Sequence, residues 1–488
     1  MPDEDVERDD DAPTPSRTTY HGAEDAEQAG RLAEWLHHGA RYDHTTKRWH
    51  VWNGTMWAPD KTKEVHRQAL DHVYTRVTEV ARQYAVGDLS KERFETEMKV
   101  YRKLLEKGKL EAALDVLTWN PGYKTDGSDW DQDPYLLGCK NGIVDLRTGE
   151  LIRKPTPDTL VTRSTGIDYD PNLDGPGSAP RFMSFLSEVT SGNGDLALFY
   201  LAWFGYSLFG LTSEQKFLIL TGLGRNGKGA LATAMRHVFG EYSADADSSL
   251  YMRSKYGAAR SDGARADLMA LQGKRLAVMS EPPGGAFNEE MLKAHTGGDP
   301  ITARALYSNN VITWSPTHTI TFLTNEPPSV QDIGPAMAAR VMVADFRERF
   351  DGEHEDKQLY NRLKNEAPAI LNILVRMAVQ WYESITSSGL GLVIPERVQR
   401  ASAEYLSTND PIGRAMDEAF VFEKGVKTFA RAMYDAYADW HARSDLDGDP
   451  LTNTSFGLQL AKRGLKKVKT ASGWYYLDVR PKAAMELV

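Results

Sequence analysis

Cysteine is nearly absent from this chain of 488 residues. The one thiol, Cys139, excludes an intramolecular disulfide and leaves no cysteine-based zinc site. The twelve histidines fall into no pair-and-carboxylate ligand pattern. Also missing is any uninterrupted apolar run long enough to span a bilayer. The opening MPDEDVERDDDAPTP has no apolar segment, so it does not read as a secretory signal. No internal repeat is visible. What remains is 41% hydrophobic and 26% charged, the composition of a soluble globular protein. A reducing, cytoplasmic compartment is expected, and the length implies roughly two to four domains.

The net charge of −10 is unevenly spread. Met1 to Gly30 alone carries −8, and its polar, Pro-containing sequence predicts a disordered acidic tail over 1–28. Thr452 to Lys482 has seven Lys or Arg against the single acid Asp478, a local +6. An overall acidic balance therefore does not exclude a nucleic-acid partner.

From 29 to 171 the pattern predicts an α+β domain. RYDHTTKRWHVWNGTMW reads as a hairpin, Glu64–Val86 and Ser90–Leu117 as helices, and CKNGIVDLRTGELI as short strands around a turn at Thr148-Gly149. Asn172 to Pro180 is rich in Gly and Pro and reads as a linker. Between 181 and 385 helices alternate with buried strands and Gly-rich turns, the signature of an α/β domain built on a parallel sheet. Residues 395–488 read as helical, closing on a two-stranded wing in GLKKVKTASGWYYLDV.

The densest signal is KFLILTGLGRNGKGALATAMRHVFG. A strand over Lys216–Thr221 leads into Gly222, Leu223, Gly224, Arg225, Asn226, Gly227, Lys228 and Gly229, and a helix follows from Ala230 to Phe239. Strand, glycine loop and helix are the parts of a phosphate cradle: backbone N–H groups turn inward and the helix N-terminus adds positive charge. Lys228 would reach the outer phosphates as a point charge. Gly229 stands where such loops carry the hydroxyl that touches Mg²⁺, so a water is expected to take that place in the metal shell. Downstream, the strand Arg275–Ser280 ends in Glu281, where an ATPase needs a metal-holding or water-polarising acid. THTITFLTNEPP puts Asn325 just past a third strand, and GPAMAARVMVADF puts Arg340 before a fourth.

In this order, GxGxNGKG, the strand ending Ser-Glu, KAHTGGDPITARALY, FLTNEPP and the Arg before a strand resemble the superfamily 3 (AAA+-like) P-loop helicases. The branch they look most like is the phage and plasmid primase–helicase family related to poxvirus NTPases. RYDHTTKRWHVWNGTMWAPD and CKNGIVDLRTGEL are similar to the domain before the motor in that branch, and PERVQRASAEYLSTNDPIGRAM with the basic end to its winged-helix region. The resemblance implies ATP and Mg²⁺ as cofactors, with Lys228 in the phosphate loop, Glu281 as the Walker B acid and metal ligand, Asn325 as the sensor and Arg340 as an arginine finger. It also implies a DNA-contacting hairpin between Lys293 and Asn310, in which Lys293, Arg304 and Tyr307 would touch DNA. The chain departs from the family in having Ala339-Arg340 where two arginines are usual, and in a hairpin tip, Tyr307-Ser308-Asn309-Asn310, without a basic residue. Ser455 to Arg463 could be a recognition helix, so Lys462, Arg463, Lys466 and Lys467 are further DNA candidates.

The function so implied is a hexameric replicative helicase on single-stranded and forked DNA, phage- or plasmid-encoded in a bacterial host. Three alternatives stand beside it. The segment before the motor shows no clear carboxylate cluster for primer synthesis, so a primase would be a separate partner. No carboxylate set follows the motor to form the nuclease that packaging motors usually add. An initiator or helicase loader, using its ATPase as a switch, is compatible with Gly229.

Overall fold

The computed structural model describes residues 24–36, 39–173, 176–253, 264–304, 306, 311–330, 333–352, 355–444 and 449–482. Most of the acidic tail, the hairpin tip and Tyr307 lie outside the described residues, as do positions 174 and 175 in the linker. The described chain is mixed α/β. Its contacts divide it into two units, one of residues 1–145 and 150–164, the other of 146–149 and 165–488.

In the first unit the aromatic hairpin forms as expected. Ala40–Asp43 pairs antiparallel with Arg48–Trp52, which pairs with Trp57–Pro59, and Lys124–Thr125 joins Ala40–Asp43 in parallel. Helices Glu24–Leu36, Glu64–Ala85, Lys91–Leu104 and Lys107–Leu117 share one core, including Leu32, Val73, Leu104 and Leu114. The first of these opens at Glu24, inside the stretch expected to be disordered, because Ala29, Leu32 and Leu36 give it a buried face. The helix expected over Ser90–Leu117 is broken, since Glu106 takes an extended backbone at φ −76°, ψ 124°. In one straight helix Leu104 and Leu110 would point about 120° apart, whereas the break lets both be buried. Leu136–Cys139, Gly142–Asp145 and Glu150–Ile152 form an antiparallel sheet, with the expected turn at Thr148-Gly149.

The second unit is built on five parallel strands, in the order Val341–Asp345, Phe217–Thr221, Thr319–Thr324, Leu276–Ser280, Ser243–Asp245. Thr319–Thr324 is buried along its whole length and Phe217–Thr221 nearly so, as strands covered on both faces must be. Their burial is apolar except for threonines, and these are bonded: Thr321 accepts from Trp203 Nε1 at 3.0 Å, and Thr319 donates to Ser207 Oγ at 2.7 Å. Both partners lie on the helix Gly194–Ser207, which the bonds tie to the sheet.

The register fixes where the strands end. Thr221 pairs with Thr324 and Asp345, and Leu323 pairs with Ser280, so four carboxyl ends finish level. The connections after them, beginning at Gly222, Glu281, Asn325 and Phe346, open on one edge of the sheet. A short hairpin, Ile301–Arg304 with Val311–Trp314, stands apart from the sheet.

Beyond Glu396–Thr408 come the helices Pro411–Ala419, Ala430–Arg443 and Asn453–Lys462, packed on three antiparallel strands in the order Phe420–Phe429, Gly473–Pro481, Lys467–Thr470. The sequence led us to expect helix through Phe420–Phe429, yet this segment is a strand. Its Phe, Val and Thr residues favour an extended chain, and Gly425, at φ 89°, shifts its register between Phe422 and Lys427. Among the described residues, no helix is long and apolar enough to cross a membrane.

Candidate functional site

A cleft of about 520 Å³ opens at the level strand ends of the second unit, lined by residues 224–230, Ser280, Glu281, Leu323 and Asn325. Its floor is the turn between Phe217–Thr221 and the helix Lys228–Phe239. Two glycines make that turn possible. Gly222 sits at φ 145°, where an added Cβ would lie 2.3 Å from Phe346 O, and Gly227 sits at φ 90°, where one would lie 2.6 Å from Val189 Cγ1. Asn226 is buried beneath the loop; its Nδ2 donates to Phe346 O at 3.4 Å and its Oδ1 accepts from the Lys228 backbone N–H at 3.3 Å. Arg225 has a left-handed backbone, φ 62°, and its carbonyl accepts from Phe350 N at 2.7 Å. Leu223 is 80% exposed.

Lys228 begins the helix two residues earlier than the sequence suggested, and only 5% of it is exposed. Its ammonium donates to the carbonyl of Gly222 and to Asn325 Oδ1, the latter at 3.2 Å. Burial holds the amine below the usual lysine range, and the nearby Glu281 carboxylate opposes that shift. Glu281 itself is exposed, with a left-handed backbone at φ 47° and its N–H donated to Leu323 O at 2.7 Å. Asn325 is anchored from the other side, where its carbonyl accepts from Thr221 Oγ1 at 3.3 Å. Gly229 faces open space, with no atom within 4 Å of where a Cβ would be.

The opposite wall holds a cation that local sequence patterns did not reveal. Glu366 accepts the backbone N–H groups of Arg181 and Phe182, fixing the start of the helix Pro180–Val189. From that start the Arg181 side chain reaches Glu188 at 3.0 Å and Asp356 at 3.2 Å. Burial pushes the Asp356 carboxyl up, but the Gln358 N–H, Arg181 and Arg362 outweigh it and hold the group below its usual range. Asp356 is 175 residues from Arg181, a distance at which no spacing rule applies.

The remaining expected residues do not line this cleft. The Arg340 guanidinium bonds to Ala336 O at 2.7 Å, Thr296 Oγ1 at 3.1 Å and Gln215 Oε1 at 3.4 Å. Lys293 is half-buried on the helix Glu289–Gly297, and Arg304 is half-buried at the end of its hairpin strand. Lys462, Lys466 and Lys467 are exposed. Arg463 is engaged within the chain: it pairs with Asp410, the N-cap of Pro411–Ala419, and donates to Gln459 Oε1 at 3.0 Å.

Residues 29–191 match the family model described as D5 N terminal like. The chain is 28% identical over 221 residues to "Putative helicase L207/L206" of Acanthamoeba polyphaga mimivirus, covering 45% of this chain and 22% of that protein. It is 21% identical over 456 residues to "Putative helicase 121R" of Invertebrate iridescent virus 3, covering 81% of this chain and 48% of that protein. The chain thus spans about half the length or less of the curated relatives it matches. A solved structure titled the apo structure of the NrS-1 C-terminal region has a TM-score of 0.49 at 10% identity, over 94% of this chain and 100% of that one. The match over residues 29–191 and the two viral relatives make this chain similar to the D5-like primase–helicases.

Proposed function

We propose that the chain is an ATP-driven DNA helicase whose motor is a P-loop, superfamily 3-type domain over 181–385. In this reading an α+β domain over 29–171 precedes the motor and a winged-helix domain over 395–488 follows it. The observation that carries the reading is the meeting of Lys228, Asn325 and Glu281 at one cleft, on the level ends of parallel strands. The turned-in loop offers N–H groups to phosphates, and Lys228 adds a cation whose amine can leave Gly222 O and Asn325 for a stronger anionic partner.

The residues present fit a magnesium ion. Glu281 brings an exposed carboxylate to the cleft, and the open space around Gly229 leaves room for the waters that Mg²⁺ retains. When bound, the ion would neutralise charge on the phosphate oxygens. Glu281 would then hold the metal or polarise the attacking water, Asn325 would orient that water, and Arg181 would shape the rim of the cleft. Arg340, which does not line its own cleft, would complete a neighbour's, so that the working form is a ring, a hexamer in this reading. A separate primase is the partner this reading calls for, since the sequence segment before the motor shows no clear carboxylate cluster for primer synthesis. A second reading, a loader or initiator that uses ATP as a switch, is favoured by one observation: Gly229 brings no hydroxyl to the metal.

Strand displacement on a forked duplex with Mg·ATP, beside Lys228→Ala, tests the proposal. Unwinding by the wild type and none by the variant is the expected result. DNA-stimulated hydrolysis without unwinding would replace the helicase with the switch.

A further inference from the structure

The hairpin of Lys467–Thr470 and Gly473–Pro481 carries an indole that the fold leaves in water. Trp474 is 47% exposed, while Phe456, Leu460 and Tyr476 of the same region are buried. Lys469 pairs with Trp474 and Lys467 with Tyr476, and alternate residues of a strand share a face, so these four side chains lie together. Lys467 Nζ is 5.4 Å from the Trp474 ring centre and 5.3 Å from that of Tyr476, and Lys469 Nζ is 5.9 Å from Trp474. Arg463 and Arg480 are held by Asp410 and Glu423, but Lys466, Lys467 and Lys469 are exposed and form no ion pair among the described residues.

An exposed aromatic face set between free ammonium groups is complementary to a nucleotide, whose base stacks while its phosphate meets the cation. Bases inside a duplex are already stacked on their neighbours, so an indole on a surface hairpin gains nothing from them. Unpaired bases are free to stack. We propose that this hairpin is a single-stranded DNA site, with Trp474 stacking on an unpaired base and Lys467 and Lys469 holding the phosphates beside it. This rests on the helicase reading above and narrows its C-terminal contact from DNA in general to the unpaired strand.

The test uses the full chain without nucleotide, and compares a fluorescein-labelled oligothymidylate with a blunt duplex of equal length. Trp474→Ala should weaken oligothymidylate binding about tenfold, the loss of one stacked base, and leave duplex binding unchanged. Trp474→Phe should retain most of the affinity. On the wild type, an oligonucleotide carrying 5-iododeoxyuridine should photo-crosslink to Trp474. Unchanged oligothymidylate binding by a folded Trp474→Ala, an equal loss on duplex, or crosslinks that avoid the hairpin would overturn the site. If Trp474→Ala fails to fold, the wild-type crosslink decides. Trp474-dependent binding in a chain that does not unwind would sink the helicase reading alone. Unwinding by a chain whose Trp474→Ala variant binds normally would sink this inference alone.

Discussion

Lys228 and Asn325 are 97 residues apart in sequence and 3.2 Å apart in space, the ammonium of one donating to the side-chain oxygen of the other. The contact joins the floor of the cleft to the end of the neighbouring strand, so anything that draws the lysine toward a phosphate also frees the amide. Asn325→Ala should therefore lower kcat for ATP hydrolysis by about a hundredfold while moving KM only a few-fold, as when one donor toward a transition state is lost. Steady-state kinetics decide it, and an unaltered kcat would remove Asn325 from the chemistry.

Space around Gly229 allows the missing hydroxyl to be installed without a clash. Gly229→Ser should reduce the Mg²⁺ concentration needed for half-maximal hydrolysis several-fold, because a direct ligand replaces a water. An unchanged magnesium titration would count against a water in that place.

Gly222 is the reverse case. A Cβ there meets Phe346 O at 2.3 Å, and the backbone at φ 145° is one that side-chain-bearing residues rarely adopt. Gly222→Ala should cost about 1–3 kcal/mol of stability and abolish nucleotide binding; chemical denaturation and a fluorescent nucleotide analogue would report the two losses. A variant that binds normally would mean the loop tolerates another shape.

A buried trio gives the expected acid response. Tyr251 Oη lies 2.7 Å from His295 Nδ1 and 3.1 Å from His318 Nε2. Burial lowers His295 to about 4, with Arg265 adding to the shift and Asp299 opposing it. Burial, helped by His295, lowers His318 to about 3. Between roughly pH 6.5 and pH 4 the unfolded chain takes up protons on these rings and the folded chain does not, so stability falls as pH falls through that window. His295 alone could account for about 3 kcal/mol across it. Thermal melts should drop in Tm from pH 7 to pH 4.5, and His318→Gln should flatten the slope. An equal slope in the variant would place the titration elsewhere.

If Arg340 serves a neighbour, two dead subunits can make a live site. Arg340→Ala and Lys228→Ala should each hydrolyse almost no ATP alone, and their mixture should recover a measurable part of wild-type activity. Absence of recovery at every mixing ratio would confine Arg340 to its own subunit.

The parts of this site that could be read from the sequence are those written in adjacent residues. The run Phe217–Thr221 followed by the Gly-Lys cluster announces a strand, a tight turn and a helix. Glu281 and Asn325 could be placed because each directly follows a buried strand. What escaped depends on partners far along the chain. Arg181 acquires its place in the cleft through Asp356 and Glu366, and Arg463 loses its freedom to Asp410. Phe420–Phe429 becomes a strand because Gly473–Pro481 arrives beside it. The break at Glu106 answers to a shared core that periodicity along one helix does not encode.

The strand Phe217–Thr221 has as its neighbours Thr319–Thr324 and Val341–Asp345, both begun more than a hundred residues later. On the ribosome the glycine loop therefore emerges with neither flank in place. The strand that carries it has to wait as an apolar segment with open hydrogen-bonding edges, the kind of nascent chain that chaperones hold. The cleft at the strand ends can close up only after residue 345 has cleared the exit tunnel, so under the proposed reading a nucleotide would find no complete cradle for most of the chain's synthesis.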